Sequence, residues 1–415
     1  MKKHILYLLL LTGSIGTQAQ IAREVHPPEY IKTVTFKGNT PESQLPVLKL
    51  GDRLILQFDA LNANEDDFYY TIEHYNFDWT PSVLFRNEFL IGMDNQRIVN
   101  YENSFNTYQI YSNYTLTIPN AQTRGFKVSG NYMLKVFDEY NNLVFSRKFM
   151  VYEDLCAVGV AVKRARDVAT IDQMQTLDLK IVPNRIQVVN PIQTIRTTLI
   201  QNNNLNTAIT NVKPQYTLGN ELIYRYTNET AFWAGNEYLF FENKDLRAAN
   251  TGVRFIELKN LYHSHLFTDI VRHNRPYTYN PDINGNFLIT AIDTQNPTVE
   301  ADYAWVHFSL MATEFFDKKV YVYGNYNNYA LTPENQMTYN PENGTYEATM
   351  LLKQGFYNYK YVTLDSNQTL NEGEISGNFY QTENNYKVLV YYRELGGRYD
   401  RLIGFGEATS VNISN

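Results

Sequence analysis

Strand-length apolar or alternating runs, separated by turns rich in Asn and Gly, recur from one end of the chain to the other. This rhythm restricts the fold more than any other feature. LILQF (54–58), YTLTI (114–118), NYMLKVF (131–137) and LVFSRKFMVY (143–152) open the series. TLDLKIV (176–182), TIRTTLI (194–200), ELIYRY (221–226) and NFLITAI (286–292) continue it. YAWVHFSL (303–310), KVYVY (319–323), TYEATML (345–351), FYNYKYV (356–362) and YKVLVYY (386–392) close it. Alternation with period two buries one face of a strand, and uniformly apolar runs bury both. Asn284-Gly285 and Asn343-Gly344 read as hairpin turns, because both residue types tolerate positive φ. No segment holds a helical period over three turns. The chain is therefore expected to be all-β, built as three consecutive antiparallel β-sandwiches of the immunoglobulin-like type. The 34 Tyr and 23 Phe, set against 3 Trp, agree, because flat rings pack well on pleated surfaces.

The 415 residues allow several domains. Junctions are expected after Glu153-Asp154 and near Pro297-Thr298. That gives an N-terminal sandwich at 21–154, a middle β domain at 155–298, a C-terminal sandwich at 299–400 and a frayed tail at 401–415. No low-complexity linker intervenes, so a stiff rod is expected. The first twenty residues have a basic start (Lys2, Lys3), an apolar run (5–11) and small residues (17–20), the layout of a secretory signal peptide. Export to the periplasm follows, with cleavage after Ala19 or Gln20. No Cys follows the apolar run to take a lipid, and no other stretch approaches spanning length. Loss of Lys2 and Lys3 with the leader takes the formal net charge from −7 to −9. Without a basic stripe, nucleic acid is excluded as a partner, and so is direct membrane insertion.

Candidate chemistry is sparse. His263 and His265 alternate on one strand and share a face, but no third ligand is fixed by the sequence, so they read as an exposed or packed pair and no metal is assigned. Glu65-Asp66-Asp67 lacks a spaced calcium loop and reads as a solvated turn. Asp282-Ile283-Asn284-Gly285-Asn286 reads as a simple Asn-Gly hairpin. Cys156, the one cysteine, sits in an apolar run and reads as a buried hydrophobe. There is no nucleophile elbow and no phosphate-binding glycine loop. No enzymatic activity and no cofactor are expected.

Two resemblances add to this reading. Residues 321–329 (YVYGNYNNY), Gly344-Thr345-Tyr346 and 351–361 (LLKQGFYNYKY) resemble the early-set module of starch- and glycogen-binding domains, with Tyr329 where that family shows Trp. A longer set comprises 59–81 (DALNANEDDFYYTIEHYNFDWTP), 101–107, 114–119, 232–237 (FWAGNE), 275–282 (RPYTYNPD), 301–306 (ADYAWV) and 376–383 (SGNFYQTE). Together these resemble the plug proteins of the type IX secretion system of Bacteroidota, over essentially the whole mature chain. That resemblance implies a periplasmic protein, monomeric outside its complex. It would bind the outer-membrane β-barrel translocon and occlude its periplasmic opening when no substrate is engaged. A carbohydrate-binding accessory role is the alternative. The polar and aromatic segment 100–114 supplies the candidate partner interface: Tyr101, Asn103, Phe105, Tyr108 and Tyr111.

Overall fold

The computed structural model describes residues 21–39, 44–62, 64–411 and 413; the expected signal peptide, residues 1–20, lies outside them. Strands hold 48% of the residues and helices 4%. The first core lies between two sheets. One runs Ile31–Lys37, Leu54–Ala60, Ser112–Ile118, Asn100–Asn103; the other runs Val47–Lys49, Leu143–Tyr152, Gly130–Phe137, Tyr69–Tyr75, Gln96–Arg97. In Leu54–Ala60 the buried residues Leu54, Leu56 and Phe58 alternate with half-buried Ile55 and Gln57. Phe58 sits at the centre, its ring 5.2 Å from those of Phe68, Tyr114 and Phe145. Burying each such side chain stabilises the fold by about 1.5–3 kcal/mol. The alternation then fails at Asp59, which is also buried; its face of the sheet is covered by another part of the chain.

A second core gathers Leu177, Leu179, Ile181, Leu199, Tyr224 and Val388. One of its sheets runs Cys156–Arg164, Met174–Pro183, Glu221–Tyr224, Tyr216–Leu218. The other runs Asn204–Val212, Ile195–Gln201, Asn385–Tyr392, Arg401–Thr409. The last two strands correct the expected boundaries. Asn385–Tyr392 pairs with Ile195–Gln201, from Ile195 opposite Tyr392 to Gln201 opposite Tyr386, so it belongs with the second core. Residues 401–409, expected as part of a frayed tail, form the neighbouring strand. The physical reason is coverage. Without these two strands the second sheet would be the isolated hairpin of Ile195–Gln201 and Asn204–Val212, which two strands alone hold only marginally.

The third core is enclosed by one curled sheet. Its path is Leu239–Glu242, Gly355–Asp365, Lys318–Tyr323, Gln336–Asn340, Thr345–Lys353, Tyr303–Met311, Tyr262–Leu266, Val253–Leu258. Phe241 and Val253, from opposite ends of this path, join Val306, Phe308 and Tyr359 in one cluster. Residues 239–271 therefore pack here, not with the middle sandwich. Among the described residues pairing is antiparallel except at Val47–Lys49 and where Tyr262–Leu266 and Asp269–Ile270 run parallel to Tyr303–Met311. Asn343-Gly344 closes the expected hairpin, between Gln336–Asn340 and Thr345–Lys353. Asn284-Gly285 makes a turn with φ of 55° and 80°, but Phe287–Ile289 after it pairs with Gly355–Asp365, so it closes no hairpin.

The three cores meet pairwise, which a linear rod does not do. Met150 of the first packs with Ile200, Leu389 and Leu402 of the second. Tyr111 of the first packs with Tyr303 and Leu351 of the third. Between the second and third, the Tyr329 hydroxyl donates to the Asn202 carbonyl at 2.8 Å and Asn204 Nδ2 donates to Tyr323 at 3.0 Å.

Candidate docking surface

Residues 104–111 connect Asn100–Asn103 to Ser112–Ile118 and carry the most exposed part of the candidate interface. The loop is tied at its base: Ser104 N donates to Tyr111 O at 2.8 Å, and Tyr111 N donates to Ser104 Oγ at 3.0 Å. Asn106 takes the left-handed turn, at φ 57°. The third unit grips the tip. The Asp302 carboxylate accepts from Tyr108 N at 2.7 Å and Gln109 N at 3.0 Å, and Phe105 N donates to Val299 O at 2.9 Å. With its backbone bonded, the loop presents its rings outward: Phe105 is 71% exposed, Ile110 59% and Tyr108 57%. Tyr108 also stands edge-on to Tyr262, centroids 5.5 Å apart.

Tyr111 does not join that surface. It is fully buried, its hydroxyl donates to the Ala301 carbonyl at 2.8 Å, and its ring packs on Tyr303. Tyr101 and Asn103 turn to Glu65 instead, donating at 2.8 and 2.6 Å. Those two bonds hold the Glu65 carboxyl below the usual carboxylate range, and the same contact raises the Tyr101 phenol. Asp67 pairs with Arg97 at 2.6 Å, and Asp66 accepts from Asn62. All three carboxylates of the acidic cluster thus have protein partners, as a hydrogen-bonded turn requires.

Behind the loop lies a joint the sequence reading missed. Asp59 and Lys353, 0% and 1% exposed at their side chains, form an ion pair at 2.7 Å between the first and third units. Asp59 also accepts from the Tyr303 hydroxyl at 2.6 Å and from Asn113 Nδ2 at 2.7 Å. Lys353 also donates to Thr298 O at 2.6 Å and lies 4.0 Å above the Tyr111 ring. Burial lowers the Lys353 ammonium and the Asp59 carboxylate opposes that shift. A charge so placed is tolerable only when paired and hydrogen-bonded. The first and second units are joined by Tyr391, which donates to Asn131 at 2.6 Å, and by Arg401, which pairs with Glu153 at 2.7 Å.

The remaining sequence candidates fall into place. Cys156 is buried against Ile403 and Gly404, and burial pushes its thiol up to about 12. Tyr329 is buried at the joint of the second and third units, so no sugar can stack on it. Asp282 is half-buried, and desolvation raises its carboxyl to about 7. A cleft of about 550 Å³ separates the second and third units beside Trp233 and Asn371. His263 and His265 gain a third imidazole, His307, delivered by the parallel strand beside theirs; one nitrogen from each ring lies within 4.8 Å of the others. Among the described residues no helix is long and apolar enough to cross a membrane.

Residues 31–153, which include Asp59 and the exposed loop, match the family described as the first domain of the type 9 secretion system plug protein. The crystal structure of a hypothetical protein from Parabacteroides merdae ATCC 43184 is 34% identical. It superposes with a TM-score of 0.89, covering 93% of this chain and 98% of that one. The chain belongs to the type IX secretion plug family. A marsupial T cell receptor is 10% identical and covers 82% of this chain and 98% of its own. Trypsin-activated alpha-2-macroglobulin from Escherichia coli is 11% identical and covers 94% of this chain and 29% of its own. Both have TM-scores of 0.17 and carry no argument. No curated protein matches the chain. Several stretches that carried the plug resemblance sit at the joints: Asp59 and Asp302-Tyr303 between the first and third units, and 376–383 against 232–237 between the second and third. There Asn236 Nδ2 donates to Ser376 O at 2.7 Å and Thr382 Oγ1 to Gly235 O at 2.9 Å.

Proposed function

We propose that this plug-family protein binds the outer-membrane translocon barrel of the type IX secretion system from the periplasmic side and occludes its opening when no substrate is engaged. The observation that carries the reading is the exposed aromatic loop, 104–111. It lies within the plug-matched sandwich and is braced from behind by Asp302 of the third unit. Closing a pore is steric work. It needs a body that does not deform and a surface that fits, and three cores locked pairwise supply the first requirement. Large aromatic side chains on a bonded loop supply the second, because they bring area at low entropic cost. The loop is one part of a contact that must reach the size of stable interfaces, about 1,600 Å² in total. The role is architectural, in keeping with an all-β plug-family chain. The glycan-binding alternative loses the ring it depended on, since Tyr329 is internal.

The test is affinity capture of the tagged chain from native outer-membrane extract. Recovery with a very large barrel protein supports the reading, and recovery alone from extracts that contain the barrel defeats it.

A further inference from the structure

The histidine cluster on the outer face of the third unit's sheet is independent of the plug reading. Tyr262–Leu266 runs parallel to Tyr303–Met311, with His265 directly beside His307 and His263 beside Trp305. Alternate residues of a strand share a face, so a registered neighbour places all three imidazoles on one side of the sheet. We propose that His263, His265 and His307 form a binding site for one divalent transition-metal ion of the zinc type.

Three observations support the assignment. First, one nitrogen from each ring lies within 4.8 Å of the others, and His263 Nδ1 stands 2.8 Å from His307 Nε2. Nitrogens sharing one tetrahedral zinc lie about 3.3 Å apart, given bonds of about 2.0–2.1 Å. The site closes by turning half-exposed side chains on a fixed ladder, most of all the stacked His265 and His307 rings, now 4.1 Å apart.

Second, the far nitrogens are already engaged. His265 Nε2 is 3.1 Å from the Glu257 carboxylate, and His307 Nδ1 is 3.0 Å from Thr349 Oγ1. The Glu257 carboxylate can only accept, so it favours the His265 tautomer protonated at Nε2 and leaves the Nδ1 lone pair for a metal, while the Thr349 hydroxyl orients the His307 ring. Third, the three donors are all imidazole, which suits zinc, copper, nickel or cobalt and not calcium or magnesium. Three protein ligands leave a fourth position facing solvent, open to water or to a side chain of a bound partner.

The test uses the tag-free, chelator-treated mature chain, titrated with Zn²⁺ by isothermal calorimetry and with Co²⁺ by visible absorption. One ion per chain is expected, with affinity reduced at least about tenfold in His307→Gln and in His263→Gln, and unchanged in the control His273→Gln. Circular dichroism verifies each variant's fold. Should a variant fail to fold, X-ray absorption on the zinc-loaded wild-type chain decides, with three imidazole ligands expected. The proposal is overturned by no stoichiometric binding, by full affinity in the folded His307→Gln variant, or by fewer than three imidazoles at the metal.

Discussion

Replacing Lys353 with Met tests whether the first and third units are locked. The change removes the cation that faces Asp59, together with its bond to Thr298 O and its contact with the Tyr111 ring. Breaking a fully buried pair by deleting one partner costs about 3–5 kcal/mol, because the other charge stays buried and uncompensated. Asp59 keeps two donors, Tyr303 at 2.6 Å and Asn113 at 2.7 Å, which places the expected cost toward the lower end. We expect about 3–4 kcal/mol. Adding Asp59→Asn removes the stranded charge while keeping an oxygen for Tyr303, so the double variant recovers at least about 2 kcal/mol relative to Lys353→Met. The assay is guanidinium unfolding of the mature chain in a Trp79→Phe, Trp233→Phe background. Trp305 then remains as the fluorescent reporter, and it packs against the cluster at this joint. Far-UV dichroism on the same samples tests whether the joint opens before the sandwiches melt. A cost under about 1 kcal/mol for Lys353→Met, or strict additivity of the two changes, would refute the reasoning.

Three further outcomes are expected. His74 is buried and neutral, donating from Nε2 to Ser129 O and accepting at Nδ1 from Ser82, and burial lowers its pKa to about 4. The unfolded chain takes up that proton from about pH 6.5 downward while the folded chain does not, so stability falls with acid through this window, by about 3 kcal/mol in all. Asp282, raised to about 7, acts in the opposite sense. The readout is therefore the difference between wild type and His74→Gln, which should vary between pH 6.5 and 4 and be flat above pH 7; a difference constant across that range contradicts the assignment. Gly285→Ala should destabilise by at least about 2 kcal/mol, because φ is +80° and the new Cβ would stand 2.6 Å from the Tyr238 ring. A thermal midpoint equal to wild type would show that the joint yields. Phe105→Ala with Tyr108→Ala should lower the melting temperature by no more than about 4 °C, the loss of the Tyr108–Tyr262 pair, and weaken capture of the barrel by at least about thirtyfold; wild-type capture would remove the loop from the contact.

Local structure was legible because strand periodicity is local. Leu54, Leu56 and Phe58 face the first core as their alternation implies, and Asn343-Gly344 turns where its chemistry implies. What escaped reading is what depends on residues far apart. Residues 386–392 look like a central strand of whichever sandwich they enter, and only pairing with Ile195–Gln201 shows which. Lys353 lies 294 positions from Asp59, and His307 lies 44 from His263, so neither partnership leaves a trace in spacing. A weak signal for the first existed: Asp59 at the end of an apolar strand has no reason to be there unless another element covers it. Tyr111 was placed on the surface because its segment is polar and only weakly alternating; the carbonyl of Ala301 and the ring of Tyr303 draw it inward.

The claim that the locked, three-core body closes the translocon is tested most directly by conductance. The purified barrel is reconstituted in a planar bilayer, and the mature chain is added on the periplasmic side. The account predicts that a large open conductance falls to near the bilayer baseline, and that the Phe105→Ala, Tyr108→Ala variant fails to lower it at the same concentration. Undiminished current through a barrel that demonstrably carries the bound chain would contradict it.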